Sequence, residues 1–251
     1  MGPSFVLVIL HMTGLILGGA ATTTTFTFSN NCTFPVWVGT LSGGGSSELS
    51  KTGFPLPPGS NSSLSASAGW SGRFWGRSFC SSDSSGRFSC LTGDCSTGQV
   101  SCNGEGGAPP ATLVEVTLAS SGGSGAAGKD FYDVSLVDGY NLPVSVEPAG
   151  GSGDDCRPAG CRWDLNVRCP KELAVAAADG TVVACRSACE AFGDARDCCT
   201  GEYGSPATCG PTKYSKLFKS ACPAAYSYAY DDPTSTFTCV GPASYSLTFC
   251  P

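Results

Sequence analysis

Apolar and polar residues alternate in short runs along most of this chain, and the runs stop at clusters of Gly, Ser, Asp or Pro. Such a period of two puts successive side chains on opposite faces of a half-buried strand. Thr25-Phe26-Thr27-Phe28-Ser29 has the pattern, and Val36-Trp37-Val38 reads as its neighbour. Gly43-Gly44-Gly45 and Pro55 to Gly59 read as turns. Ser71 to Arg77 alternates less well but carries strand-formers. Ala111 to Leu118 and Phe131 to Val137 are the next strands, the second ending at the turn signal Asp138-Gly139. Ser235 to Val240 and Ser244 to Phe249 are the last. A helical period surfaces only between Cys156 and Cys222. There Val182 to Phe192 places Cys185, Cys189 and Phe192 on one face and stops at Gly193, and Thr212 to Lys219 groups Tyr214, Leu217 and Phe218. No repeat of solenoid type is present. Short strands with a few local helices predict a mainly β protein, a sandwich with a stapled satellite.

The first residues stand apart from this pattern. Phe5-Val6-Leu7-Val8-Ile9-Leu10 opens an apolar stretch that continues through Leu15-Ile16-Leu17 and ends in the small residues Gly18-Gly19-Ala20-Ala21. That is the form of a secretory signal peptide over residues 1–21, and it is short of the roughly 20 apolar residues of a membrane span. No second apolar run follows, so no stable membrane insertion is expected of residues 22–251. All 16 cysteines lie in that part. An even number in the secretory pathway implies eight disulfides. From Cys80 to Cys102 four of them fall in 23 residues among Ser and Gly, in a segment too polar to build a core of its own.

Composition removes several chemistries. The single histidine, His11, lies in the leader, so the exported chain has no imidazole for a Ser-His-Asp or Cys-His mechanism and lacks the usual companion of Cys in zinc sites. No metal and no cofactor are expected. A net charge of −6 opposes nucleic acid phosphates and anionic lipids but not a neutral polysaccharide. Catalysis, if any, falls to carboxylates, Lys, Tyr or Arg. In Leu113-Val114-Glu115-Val116-Thr117-Leu118, Val114, Val116 and Leu118 point one way and Glu115 the other. Asp133 likewise opposes Val134 and Leu136. Asp138 lies an odd number of residues further on, so it joins Asp133 only if Asp138-Gly139 breaks the strand.

Three stretches are specific enough to suggest kinship: Gly86-Arg87-Phe88-Ser89-Cys90-Leu91-Thr92-Gly93-Asp94-Cys95 with Gly98 and Cys102; Asp130-Phe131-Tyr132-Asp133-Val134-Ser135-Leu136-Val137-Asp138-Gly139-Tyr140-Asn141; and Asp231-Asp232-Pro233-Thr234-Ser235-Thr236-Phe237-Thr238-Cys239. With the number and order of cysteines, they make residues 22–251 resemble the plant pathogenesis-related thaumatin-like proteins. The resemblance implies a flattened β-sandwich core (about 22–79, 111–155 and 223–251), a small stapled lobe (about 80–110) and a disulfide-rich helical domain (about 156–222). It also implies the pairs Cys32–Cys250, Cys80–Cys90, Cys95–Cys102, Cys156–Cys239, Cys161–Cys222, Cys169–Cys185, Cys189–Cys198 and Cys199–Cys209, a connectivity that spacing alone leaves open. Closing the longest loop would contribute roughly 4–5 kcal/mol in the chain-entropy model.

Family members share an acidic cleft, and by motif position its residues fall on Arg73, Glu115, Asp133, Asp138 and one of Asp231 or Asp232. The resemblance implies a secreted, monomeric, antifungal defence protein of the extracellular space (apoplast). Its partner would be β-1,3-glucan or another fungal cell-wall polysaccharide. One alternative is a weak endo-β-1,3-glucanase with Glu115 as proton donor and Asp133 or Asp138 assisting water. Another is inhibition of microbial xylanases through the loop Ser120 to Gly128. The ending at Cys250-Pro251 reads as extracellular delivery. Tyr140 is a candidate sugar-stacking ring, and Trp37, Trp75 and Trp163 are expected in the core. Asn61-Ser62-Ser63 is a glycosylation sequon in a loop, and Asn31-Cys32-Thr33 a second one placed in a strand.

Overall fold

The computed structural model describes residues 23–120 and 128–251. The expected leader and residues 121–127 of the Ser120 to Gly128 loop lie outside the described residues.

β1 (Thr23–Asn30) pairs in parallel with β14 (Ser244–Phe249), so the ends of the chain meet inside one sheet. That sheet has the order β10 (Ala159–Cys161), β9 (Val144–Ala149), β14, β1, β4 (Asn61–Ser67). The larger sheet runs β13 (Phe237–Val240), β8 (Lys129–Ser135), β7 (Leu113–Thr117), β5 (Ser71–Ser82), β2 (Val36–Ser42), β3 (Gly53–Leu56), and β6 (Phe88–Thr92) pairs with the far end of β5. Alternation fixes the inner faces: Phe26 and Phe28 of β1 and Tyr245 and Leu247 of β14 are buried against Phe74, Val114, Val116, Tyr132 and Val134 of the larger sheet. The Phe26 and Phe74 rings lie 4.9 Å apart and those of Tyr132 and Tyr245 5.3 Å apart, so aromatic pairs bridge the two layers.

β5 explains its own poor alternation. Phe74 faces the sandwich, while Trp75 faces outward and is equally buried, under a second core with Cys95, Cys102, Ala111 and Leu113. Arg77 follows on the same strand and is fully buried. Its guanidinium donates to the carbonyls of Trp37 (3.3 Å), Val38 (3.1 Å) and Val100 (2.6 Å), which fastens β5 to β2 and to the segment carrying Cys95 and Cys102. Burial pushes its pKa down to about 10.

Eight disulfides join all 16 cysteines: Cys32–Cys250, Cys80–Cys90, Cys95–Cys102, Cys156–Cys239, Cys161–Cys222, Cys169–Cys185, Cys189–Cys198 and Cys199–Cys209. The stretch between Cys156 and Cys222 adds the small ribbon β11 (Ala174–Ala176) with β12 (Val182–Cys185), and the helices α1 (Ala188–Phe192), α2 (Ala195–Cys198) and α3 (Lys213–Ala221). A last helical turn, α4 (Asp232–Ser235), precedes β13.

Several local expectations are corrected. β2 does not neighbour β1 but lies in the opposite sheet. Pro55 is no turn residue: it sits in β3, an edge strand, where its missing N–H is tolerated. The helix expected over Val182 to Phe192 is split. Cys185 exchanges backbone hydrogen bonds with Tyr140 (2.7 and 2.8 Å), which holds Val182–Cys185 extended, and the helix begins only after Ser187, whose hydroxyl caps it. Asn61 is exposed but opens strand β4 rather than lying in a loop, and Asn31 is exposed just beyond β1 rather than within a strand. Trp163 is 73% exposed, not core. Among the described residues no helix is long and apolar enough to cross a membrane.

Candidate functional site

Arg73, Glu115 and Asp133 stand in one line across β5, β7 and β8, because Arg73 pairs with Glu115 and Glu115 with Asp133 in the strand registers. Their neighbours Phe74, Val114 and Val134 point into the sandwich, so the period of two sends all three charged groups to the outer face. The same alternation sends Asp130 inward. It is buried, with its carboxylate accepting from Tyr245 Oη and the Ala119 N–H, both at 2.8 Å.

The charged line crosses an open groove. A depression of about 330 Å³, lined by Leu41, Gly43, Ser71, Thr117 and Phe131, lies on one side of it. One of about 320 Å³, lined by Ser135, Asp138, Tyr226 and Ala229, lies on the other. Both share Arg73, Glu115 and Asp133. Asp138 reaches the groove because the strand ends at Ser135 and the chain turns. Gly139 takes φ +84°, the Leu136 carbonyl accepts from its N–H at 3.0 Å, and the Asp138 carbonyl accepts from the Ala111 N–H at 2.9 Å. A side chain at Gly139 would meet Pro110 at 2.7 Å and the Cys185 carbonyl at 2.8 Å, so only glycine fits.

The two adjacent aspartates have different fates. Asp231 is buried, and its carboxylate pairs with Lys219 at 3.0 Å and accepts from the Ser227 N–H, Ser227 Oγ and Thr234 Oγ1. Those bonds hold the segment that walls the groove, without entering it. Asp232 is exposed, accepts from Tyr226 Oη at 2.9 Å, and acts electrostatically on Asp133. Of the pair, Asp232 is the one that touches a groove-lining side chain, Tyr226. Tyr140 is not at the groove surface: it is fully buried and donates to the Trp163 carbonyl at 3.1 Å, so no sugar can stack on it.

Two residues escaped the sequence reading. Tyr226 is bound edgewise to the end of β8, its N–H donating to Val134 O and its carbonyl accepting from Leu136 N–H, both at 2.8 Å. Its hydroxyl also meets Thr236. Glu190 on α1 pairs with Arg186 at 3.6 Å. Burial pushes its carboxyl up to about 7; Arg186 opposes the shift and Asp138 reinforces it. Neither residue lies in a strand pattern that marks a groove.

The line is short of positive charge. Arg73 approaches Glu115 only at 4.0 Å, with both side chains about two-fifths exposed (40% and 41%), so the pair contributes little. Burial raises the Glu115 carboxyl; Arg73 opposes the shift and Asp138 adds to it. Asp133 is displaced further, up to about 8, by burial first and by Glu115 and Asp232 after it. Its Oδ1 is buried without a hydrogen-bond partner, which a neutral carboxylic acid tolerates far better than a carboxylate. Among the described residues no group of His, Cys, Asp and Glu is arranged to hold a metal ion.

The fold and site together define a disulfide-stapled β-sandwich with a row of carboxyl groups across an open groove. The sequence model of the thaumatin family matches residues 30–251, and the chain belongs to that family. It is 58% identical to Thaumatin-like protein 1 of Pyrus pyrifolia, over 90% of each chain. It is 58% identical to Pathogenesis-related thaumatin-like protein 3.5 of Cryptomeria japonica, over 91% of this chain and 90% of the relative. A Prunus avium protein named Glucan endo-1,3-beta-glucosidase is 52% identical over 96% of each chain.

Proposed function

We propose that this protein is a secreted plant defence protein that binds β-1,3-glucan, or a related neutral polysaccharide of the fungal wall, in the groove around Arg73, Glu115 and Asp133. The observation that carries the reading is the single cross-strand line of one guanidinium and two carboxyl groups at the middle of an open groove. Carboxylates are strong acceptors for sugar hydroxyls, and a neutral polymer is not repelled by a net charge of −6. Eight disulfides suit export to an oxidising space. The kinship with pathogenesis-related proteins supports the defensive role.

Hydrolysis of the same glucan is a second reading, favoured by one feature. Glu115 and Asp133 are directly opposed on β7 and β8, so two carboxyl groups face the same stretch of groove, as the acid and nucleophile of a glycosidase do. Of the two, Asp133 holds its proton to about 8 and suits the general acid, which leaves Glu115 as the nucleophile. This assigns the proton to Asp133 rather than to Glu115. The Prunus avium relative carries a glucanase name.

Wild type and Glu115→Gln, incubated with a soluble linear β-1,3-glucan, separate the readings when binding and new reducing ends are measured in the same samples. Binding by both without cleavage is the expected result. Reducing ends from the wild type alone make it a hydrolase, and absence of binding by both rejects the groove.

A further inference from the structure

We propose that the half of the groove away from Asp138 is a neutral sugar subsite, with Phe131 as its stacking wall and the Ser71–Thr117 hydroxyl pair as its polar floor. The proposal rests on the saccharide reading above and deepens it. Ser71 pairs with Thr117 and Thr117 with Phe131, so these residues form their own line across β5, β7 and β8. It lies two residues along from Arg73, Glu115 and Asp133 on the same face, about 7 Å away at about 3.4 Å per residue.

Phe131 keeps the alternation of β8 but puts an aromatic ring where that face of the strand otherwise carries Lys129 and Asp133. Asp130, Tyr132 and Val134 point inward and are buried, whereas Phe131 faces the groove and is 43% exposed. A ring held in water in mid-strand leaves apolar surface that a bound molecule can cover. Lys129 Nζ sits over the ring, 5.2 Å from its centroid, and the ring is still 43% exposed. The negative face of an aromatic ring suits the apolar C–H face of a pyranose. Ser71 Oγ and Thr117 Oγ1 lie 3.1 Å apart on the exposed floor. Their mutual bond uses one of two donors and one of four lone pairs, so both functions remain for sugar hydroxyls. Among the described residues this half carries no acid beyond the shared line, whereas the other half has Asp138 and Tyr226, which donates to Asp232. A polysaccharide lying along the strands would thus meet an aromatic, neutral end and an acidic end.

The test uses the full exported chain as wild type, Phe131→Ala and Phe131→Trp, titrated calorimetrically with a long and a short linear β-1,3-gluco-oligosaccharide. Phe131→Ala is expected to bind the long ligand about tenfold more weakly while the difference for the short one is smaller. Phe131→Trp is expected to restore affinity, and its added indole fluorescence to be protected from iodide by the ligand. Equal affinity of wild type and Phe131→Ala for the long ligand, or an indole at 131 that the bound ligand leaves open to iodide, overturns the subsite alone. A wild type that binds neither ligand overturns the groove reading and the subsite with it. Phe131→Trp keeps the question open to refutation should the alanine variant lose its fold.

Discussion

Glu115 and Asp133 occupy directly opposed positions on β7 and β8, so two carboxyl groups share one patch of sheet with only the guanidinium of Arg73 in line to balance them. Like charges placed opposite each other destabilise a sheet, and the repulsion is relieved when one acid keeps its proton. Burial selects Asp133 for that part, and Glu115 and Asp232 reinforce it.

This relationship has a pH signature. The Asp133 carboxyl titrates near 8 in the folded protein and near 3.9 in an unfolded chain. Between those values the native state binds a proton that the unfolded state has released. Stability from this group is therefore greatest below about pH 4 and declines as pH rises to about 8, by at most about 1.4 kcal/mol per pH unit. Asp133→Asn should remove that part of the decline, so its stability gain over wild type should grow from about pH 5 to about pH 8. Denaturant unfolding at both pH values measures it, and a pH-independent difference between the two proteins refutes it.

Asp231 and Asp232 should separate by phenotype. Asp231→Ala leaves Lys219 without its carboxylate and removes the acceptor of three further hydrogen bonds, a loss of about 3 kcal/mol in thermal or denaturant unfolding. Asp232→Asn, at an exposed position, should change stability by no more than about 0.5 kcal/mol yet weaken glucan binding. The reverse pattern would show that the groove is walled differently.

Gly139 holds the turn that brings Asp138 to the groove. Gly139→Ala forces a side chain onto a φ of +84° and against Pro110 and the Cys185 carbonyl. It should destabilise the fold by more than about 1 kcal/mol and weaken glucan binding together. Asp138→Asn should lower the affinity while leaving the melting temperature in place, which isolates the carboxylate from the turn.

Arg77 is a structural cation. Arg77→Leu keeps much of the side-chain volume but strips the donors from the Trp37, Val38 and Val100 carbonyls. The expected loss is about 3 kcal/mol or more in unfolding free energy. Limited proteolysis should show cleavage between Cys80 and Cys102 rising first, because that segment depends on this anchor. Unchanged stability and an unchanged cleavage pattern would remove Arg77 from that role.

What the sequence determined by itself is the part governed by a two-residue period. Val114 and Val116 around Glu115, and Tyr132 and Val134 around Asp133, turn both acids outward whatever strand lies alongside, because facing is a local property of extended backbone. The cysteine count and the motif around Asp130 to Asn141 pointed to the family for the same reason: they are readable without knowing what touches what. Pairing and burial are decided by groups far apart in the chain. β1 meets β14 rather than β2, and Cys185 is held extended by Tyr140, against its local helical period. Tyr140 itself turns inward to the Trp163 carbonyl. Asp231 and Asp232 are adjacent and chemically identical, and only the position of Lys219 and Ser227 draws one inward and leaves the other to the groove. Tertiary contacts override local preference there because a buried charge is stable only where its partners already stand.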